Sequence, residues 1–368
     1  RWSRGLGDVY KRQTYVSARS AGFGHREADT VAYAAQYVDD AINSGTIRFH
    51  NGAMYTHISS AHKMLDYRNF EKLANHHVWI PFHFLPGNGG KKAGENPSGK
   101  FIDKIICRPG SHIARDMVRA CVETRNKRYG LHRLGVTLHV LADSWAHQDF
   151  AGVNSYVNDV RALDEVTASG TEFMERMEQF FGTSFNKAAS SFVGDVMPLG
   201  HGAALSYPDL PFLKWTYHDH TGKRVVRNNP DEFLSAADAM CKAIQCFRSG
   251  DPDMDAPGLT YDTRGRLLTL FQNNQDEDKT VRHLEWLKQI QRGSFGFPPV
   301  KLSYRARGVG SWKYIALGTR KLWDKKTDLF QYDPSFLDSD WKLFHDALLA
   351  HRFSIIHDIL PRYGICAA

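Results

Sequence analysis

His132-Arg-Leu-Gly-Val-Thr-Leu-His139-Val-Leu-Ala-Asp143-Ser-Trp-Ala-His147 decides how the rest of the chain is read. The stretch holds no Pro and one Gly, and its apolar residues Leu134, Leu138, Leu141 and Trp145 recur at helical spacing, which predicts a helix. Residues four apart on a helix advance about 400°, so His139, Asp143 and His147 drift only about 40° per step and share a face. Each step climbs roughly 6 Å along the axis. Two imidazoles and a carboxylate on one stripe are what a helix offers a divalent metal. The competing reading is a buried hydrogen-bond network, since polar groups inside an apolar helix need a partner of one kind or the other. Three ligands spread over two turns cannot all converge on one ion, so other segments must complete the site.

Residues 1–13 stand apart. Asp8-Val-Tyr-Lys-Arg-Gln13 resembles the translated transposon end of a sequencing-library adapter, so 1–13 is expected to be a non-native segment outside the fold. The original start is then missing and a leader peptide cannot be assessed. A helical metal-binding core is expected over 14–250, and a C-terminal helical extension packed on it over 251–368.

The formal charge of +7 includes +3 from Arg1, Arg4, Lys11 and Arg12 against Asp8. The remaining +4 contains no Lys/Arg block and does not mark a nucleic-acid surface. No run of 18 apolar residues predicts a membrane span. The five cysteines form no CxxC pair and are odd in number, so they are expected as thiols, which tilts the location towards the cytoplasm.

Helices are expected over 14–42 with a break at Gly22-Phe-Gly24, from His57 through Ala74, and over 111–127, 172–181, 230–249, 277–292 and 336–360. Thr46–Tyr55 is expected as a loop or short extended piece, Gly87–Lys104 as an exposed loop, and 250–264 as a connector. No strand-period segment is long enough to build a sheet core. The predicted fold is therefore mainly α, a single large helical domain with long loops.

Four places could complete the metal site. Asp39-Asp40 are adjacent carboxylates, costly together unless a cation or solvent neutralises them; an exposed helix end is the alternative. His57 and His62 are five apart, so no more than one of them faces the site from a regular helix. His76, His77 and His83 lie in an aromatic, Pro-broken run that forms either ligands or an aromatic wall, the wall being favoured. His201 and Asp209 sit in a loop stiffened by prolines, the setting of a ligand-bearing loop. His345, Asp346, His351, His357 and Asp358 fall on different helical faces and are expected at the surface. All the better candidates are His and Asp, which suits zinc, manganese or iron rather than a thiolate zinc site. Carboxylates with several imidazoles are also what two- or three-metal phosphoester hydrolases use.

Leu134-Gly-x3-His139-x3-Asp143 on a helix resembles the zinc-dependent phospholipase C and P1 nuclease superfamily. A nearer resemblance runs through Ala34-Ala-Gln-Tyr-Val-Asp-Asp-Ala-Ile-Asn-Ser-Gly-Thr46, His57-Ile-Ser-Ser-Ala-His62, His76-His-Val-Trp-Ile-Pro-Phe-His-Phe-Leu-Pro86 and Gly200-His-Gly-x4-Tyr-Pro-Asp209. Together these resemble a bacterial family of unknown function, DUF6765, over about 14–360. The superfamily resemblance implies a helical fold with two or three zinc ions, Asp39 or Asp40 as the upstream carboxylate ligand, and His57 or His62 as the next imidazole. Two departures stand out: Leu205 occupies the place of a later carboxylate ligand, and the N-terminal amine used as a ligand in that superfamily is missing.

The leading expectation is a metal-dependent hydrolase of phosphoester bonds in lipid or nucleic acid. Asp143 and Asp40 would hold the catalytic ions, His139, His147, Asp39, His57, His62, His201 and Asp209 would complete their ligands, and Trp79, His83 and Tyr207 would contact substrate. One alternative is a non-catalytic scaffold with a structural metal. The other is an HD-type nucleotide phosphohydrolase, against which His218-Asp219 and His345-Asp346 come late and lack an upstream His at suitable spacing. No protein partner is implied.

Overall fold

In the computed structural model, which describes residues 7–62, 72–165, 200, 204, 207–276 and 278–366, the central helix is α6, Gly130–Ala146. It is buried on nearly every side, its polar His139 and Asp143 included. Around it pack α2 (His25–Asp40), α3 (Lys72–Phe82), α5 (His112–Glu123), α7 (Asn229–Ser249) and α11 (Asp340–Phe353). The flanking helices α1 (Gly7–Ser20), α8 (Tyr261–Asn273) and α9 (Lys279–Gln291) lie against α2 and α7 or against α1. Two short helices, α4 (Phe101–Ile105) and α10 (Trp312–Leu317), complete the α-helices among the described residues, beside several 3-10 turns and a π-helical turn at Ser354–Ile359.

The mainly-α expectation is corrected by two three-stranded sheets, which make this a mixed α/β fold. In the first, β1 (Gly45–Phe49) pairs antiparallel with β2 (Met54–His57) and parallel with β6 (Leu329–Phe330). Ile47 and Phe49 alternate inward from β1, the period-2 pattern of a half-buried strand, and meet Phe330, Phe336 and Trp341 in one core cluster. In the second sheet, β4 (Lys214–His218) lies antiparallel between β3 (Arg161–Glu165) and β5 (Arg224–Asn228). Trp215 and Tyr217 of β4 stack with ring centroids 5.1 Å apart. His57 therefore lies on a strand, not on the expected helix, and Tyr261–Asn273 is helical where 250–264 suggested a connector.

Lys11, Arg12 and Gln13, at the end of the segment set aside above, lie within α1 and are buried. The Lys11 ammonium donates to the Ser303 carbonyl at 2.6 Å and pairs with Asp29 at 2.9 Å, and Gln13 donates to the Phe233 carbonyl. All five cysteines are thiols, four of them buried. No helix among the described residues is long and apolar enough to cross a membrane.

The approach of α2 to α6 sets the site, and Gly135 makes it possible. A Cβ built there would come within 2.5 Å of both the Ala34 Cβ and the Val31 carbonyl oxygen. With hydrogen in its place, α6 lies directly on the Val31/Ala34/Ala35 face of α2, one turn before Asp39. Gly135→Ala should destabilise the protein by about 1–3 kcal/mol through overpacking, despite the helix propensity it gains. Urea denaturation checks this, and an unchanged or raised midpoint would show that the two helices do not pack so closely.

Candidate metal centre

Three segments converge beside α6. Asp39 comes from the last turn of α2, and His83 follows directly on α3, whose last turn contains Pro81. His139 and Asp143 come from one face of α6, and His147 is the residue that caps it. All five are buried, with His139 and Asp143 fully inaccessible.

The hydrogen bonds fix which atoms face inward. His83 Nε2 lies 2.9 Å from the Ser60 carbonyl, which can only accept, so the ring proton is on Nε2. Nδ1 is then a lone pair, yet it lies 3.0 Å from Asp143 Oδ2, another acceptor. His139 Nε2 lies 3.3 Å from His83 Nδ1, 3.3 Å from Asp143 Oδ2 and 3.8 Å from Asp39 Oδ1. Acceptors this close need a proton or a cation among them. The second oxygen of Asp39, Oδ2, is buried without a hydrogen-bond partner among the described residues. His147 Nδ1 lies 2.9 Å from the His83 carbonyl and 3.6 Å from Asp143 Oδ2, so this ring braces the His83 backbone.

Electrostatics show where protons sit without an ion. Burial opposes the imidazolium of His139, but Asp143 and Asp39 outweigh it and raise its pKa. Burial also opposes ionisation of Asp143, but His139 and His147 overcome it and hold the carboxyl well below its usual range. Burial lowers His83 and His147 and keeps both neutral. Asp39 is pushed well up by burial, reinforced by Asp143 and Asp40 against the pull of His139. Asp209 is likewise raised by burial and by repulsion from Asp143 and Asp39. Five or six ionisable groups thus share few charges.

One ligand atom from each of Asp39, His83 and His139 lies within 4.8 Å of the others, so this buried group could hold a metal ion. The donor set is mixed nitrogen and oxygen, the unpartnered Asp39 oxygen faces no competing donor, and His83 is oriented through its far nitrogen by a carbonyl, as metal-bound imidazoles usually are. These residues fit a divalent cation.

Of the residues expected from sequence, the fold brings together Asp39, His139, Asp143 and His147, with Asp209 close enough to repel the cluster's carboxylates. His83, expected in an aromatic wall and against substrate, is instead the third member of the group. His62 is buried and edge-on to Trp79, and the half-buried Trp79 ring also leans on His83 at 5.1 Å. Asp40 points elsewhere: its carboxylate accepts from Tyr304 at 2.7 Å. His57 is beside His345 and Trp341. Tyr207 is buried against Trp215 in the third core cluster. His201 lies outside the described residues. His345 and His351, expected at the surface, are buried, and His351 lies 2.9 Å from the Pro81 carbonyl just before His83. The His345-Asp346 pair diverges, since Asp346 accepts from Tyr55 and Lys342.

Neither a curated protein nor a solved structure matches the chain, so nothing here bears out the remoter likeness to phospholipase C and P1 nuclease. A family model does match, over residues 11–359, and it takes in every member of the cluster. The chain belongs to DUF6765, a family of unknown function.

Proposed function

We propose that this protein is a metal-dependent hydrolase acting on phosphoester bonds. One observation carries the reading: the lone pair of His83 Nδ1 and a carboxylate oxygen of Asp143 face each other at 3.0 Å beside His139 and Asp39, an arrangement that a cation would satisfy in place of a proton. Asp39, His83 and His139 would hold it. A bound zinc, manganese or iron ion supplies Lewis-acid polarisation of a phosphoryl oxygen and lowers the pKa of a water. Asp143 lies beside both His83 and His139 and balances positive charge there. His147 fixes the backbone of His83, and Asp209 is a carboxyl whose ionisation is opposed by burial and by Asp143 and Asp39. Trp79, half-buried against His62 and His83, is the ring over which substrate would approach.

A second reading, a structural metal in a non-catalytic scaffold, is favoured by the burial of every cluster residue, because catalytic sites keep one coordination position open. Metal content by mass spectrometry and hydrolysis of bis-(p-nitrophenyl) phosphate separate the two. The hydrolase reading expects at least one equivalent of metal and turnover lost in His139→Ala. Metal without turnover on any phosphoester leaves the scaffold, and activity that survives His139→Ala removes the site.

A further inference from the structure

The segment 305–329 carries an exposed face that the metal cluster does not use. In it and beside it, Val309, Ile315, Leu322, Trp323, Leu329 and Met54 are each 47–70% exposed. Single apolar side chains at a surface need no explanation, but these six are joined. A Cβ built on Gly308 would lie 3.2 Å from Leu322 Cδ2, so Leu322 lies against the backbone beside Val309. Lys313 of α10 pairs with Asp324, which ties the helix presenting Ile315 to the turn presenting Leu322 and Trp323. Asp328 closes that turn, accepting from Lys321 Nζ at 2.6 Å and from the Lys325 amide at 2.9 Å. The chain then enters β6 at Leu329, whose partner in β1 is Arg48, and Arg48 is in turn registered with Met54 of β2. Directly opposed residues share a face, so Leu329, Arg48 and Met54 form one row on the outer side of the sheet, while Ile47, Phe49 and Phe330 enter the core.

Charge follows the same course. Residues 305–329 contain seven Lys and Arg but only two carboxylates, Asp324 and Asp328. Those two neutralise Lys313 and Lys321. Arg307 is half-buried, donates to the Asp40 backbone carbonyl at 2.8 Å and lies over the Trp323 ring, so it anchors the turn on the end of α2. What remains is Arg305, Arg320, Lys325 and Lys326, with Arg48 on the sheet. These five cations are exposed and make no ion pair among the described residues.

The two features together select the occupant. Nucleic acid is bound through bases stacked on rings, and only one of the six apolar residues, Trp323, is a ring. Protein interfaces are depleted in Lys, whereas Lys325 and Lys326 stand two and three residues from Trp323. An anionic bilayer uses both halves of the pattern. Its headgroups attract Lys and Arg, and the boundary between headgroup and acyl chain takes up Leu, Ile and above all Trp. Stable attachment without a membrane span needs two such signals, one apolar and one basic.

We propose that this face docks the protein on an anionic lipid surface, with Ile315, Leu322 and Trp323 entering the headgroup boundary and Arg305, Arg320, Lys325 and Lys326 held at the lipid phosphates. The face uses none of the metal-cluster residues and does not depend on the hydrolase reading.

Flotation of the full chain with vesicles in EDTA tests this, comparing pure phosphatidylcholine with equal parts of phosphatidylcholine and phosphatidylglycerol. Binding is expected on the mixed vesicles, much weaker on phosphatidylcholine alone, and falling as sodium chloride is raised. Each basic residue near such a surface strengthens binding roughly fivefold, so Lys325→Gln/Lys326→Gln should bind the mixed vesicles at least about tenfold more weakly. Ile315→Gln/Leu322→Gln should lose a similar factor, which a purely electrostatic contact would not. All four positions are exposed, and circular dichroism confirms that each variant is folded. No binding to the mixed vesicles would overturn the proposal, as would binding that is equal on both vesicles or that either double variant leaves unchanged. Single-stranded RNA bound in place of vesicles, and released by the lysine substitutions, would make this a nucleic-acid surface instead.

Discussion

Asp143→Ala should remove metal binding and cost the metal-free protein about 3–5 kcal/mol, the range seen when one member of a buried ion pair is removed. Asp143 Oδ2 lies 3.0 Å from His83 Nδ1, 3.3 Å from His139 Nε2 and 3.6 Å from His147 Nδ1, and its side chain is essentially inaccessible to water. Without it, the proton on His139 is left in the interior opposite only Asp39, whose own carboxyl is pushed towards its neutral form. His139 then has to lose its proton in the fold, and the cavity left by the carboxylate adds to the cost. Asp143→Asn separates the two contributions, since it keeps the volume and removes the charge. The sign of the pH dependence is fixed. The folded pKa of Asp143 is depressed, so its contribution is present above the unfolded value of about 3.9 and is lost as pH falls through the folded one. Urea denaturation in EDTA at pH 6 and at acid pH therefore has a clear expectation: a large deficit for Asp143→Ala at pH 6 that shrinks in acid. A deficit under about 1 kcal/mol at pH 6 would mean that the carboxylate is not held by its imidazoles, and the cluster would lose its centre.

The residues around Asp143 show what a sequence reveals and what it withholds. The stripe His139–Asp143–His147 follows from 3.6-residue periodicity within one uninterrupted helix, a local property, and it appears where periodicity places it. The pairing of Asp39 rather than Asp40 with that stripe is not local. Both sit in the last turn of α2, and only the rotation of α2 on α6, set by Gly135 against Val31 and Ala34, chooses between them. His83 was hidden for a similar reason. It lies in the run Pro81-Phe82-His83-Phe84, where aromatic composition suggests a wall, and its ligand character depends on Ser60 taking its far nitrogen. The short extended reading of 46–55 anticipated part of β1 and β2, but the sheets were missed because their strands are at most five residues long and some of their pairings are distant in sequence. The partner of Phe49 in β1 is Phe330 in β6, a pairing that no window around either residue contains. His57 followed from that error: as a helix residue it could turn towards the metal cluster, but on β2 its direction is set by its pairing with Gly45.

The stabilisation conferred by metal should grow steeply with pH. In the metal-free fold Asp39 and Asp209 have raised pKa values. They stay protonated while the unfolded chain ionises, so stability falls as pH rises from about 4 towards their folded values. His139 is also raised. Its contribution is complete below the unfolded value of about 6.5 and is lost as pH rises through the folded one. These three groups therefore weaken the metal-free protein as pH rises, while the lowered pKa values of His83 and His147 act the other way below about 6.5. Ligation runs the other way, because a metal ion needs Asp39 ionised and His139 neutral, and so displaces their protons. His83 and His147, held neutral by burial, add no such penalty near neutral pH. Zinc at a hundred times its dissociation constant adds about 2.7 kcal/mol, and that dissociation constant should fall as pH rises. Thermal unfolding with zinc and with EDTA should show a wide gap at pH 8 and a narrow one at pH 5.5. Calorimetry in buffers of different ionisation enthalpy should detect one to two protons released per ion. Equal gaps at the two pH values, or binding without proton release, would place the ion away from Asp39 and His139. The acceptors facing each other across His83 and Asp143 would then be held together by a proton alone.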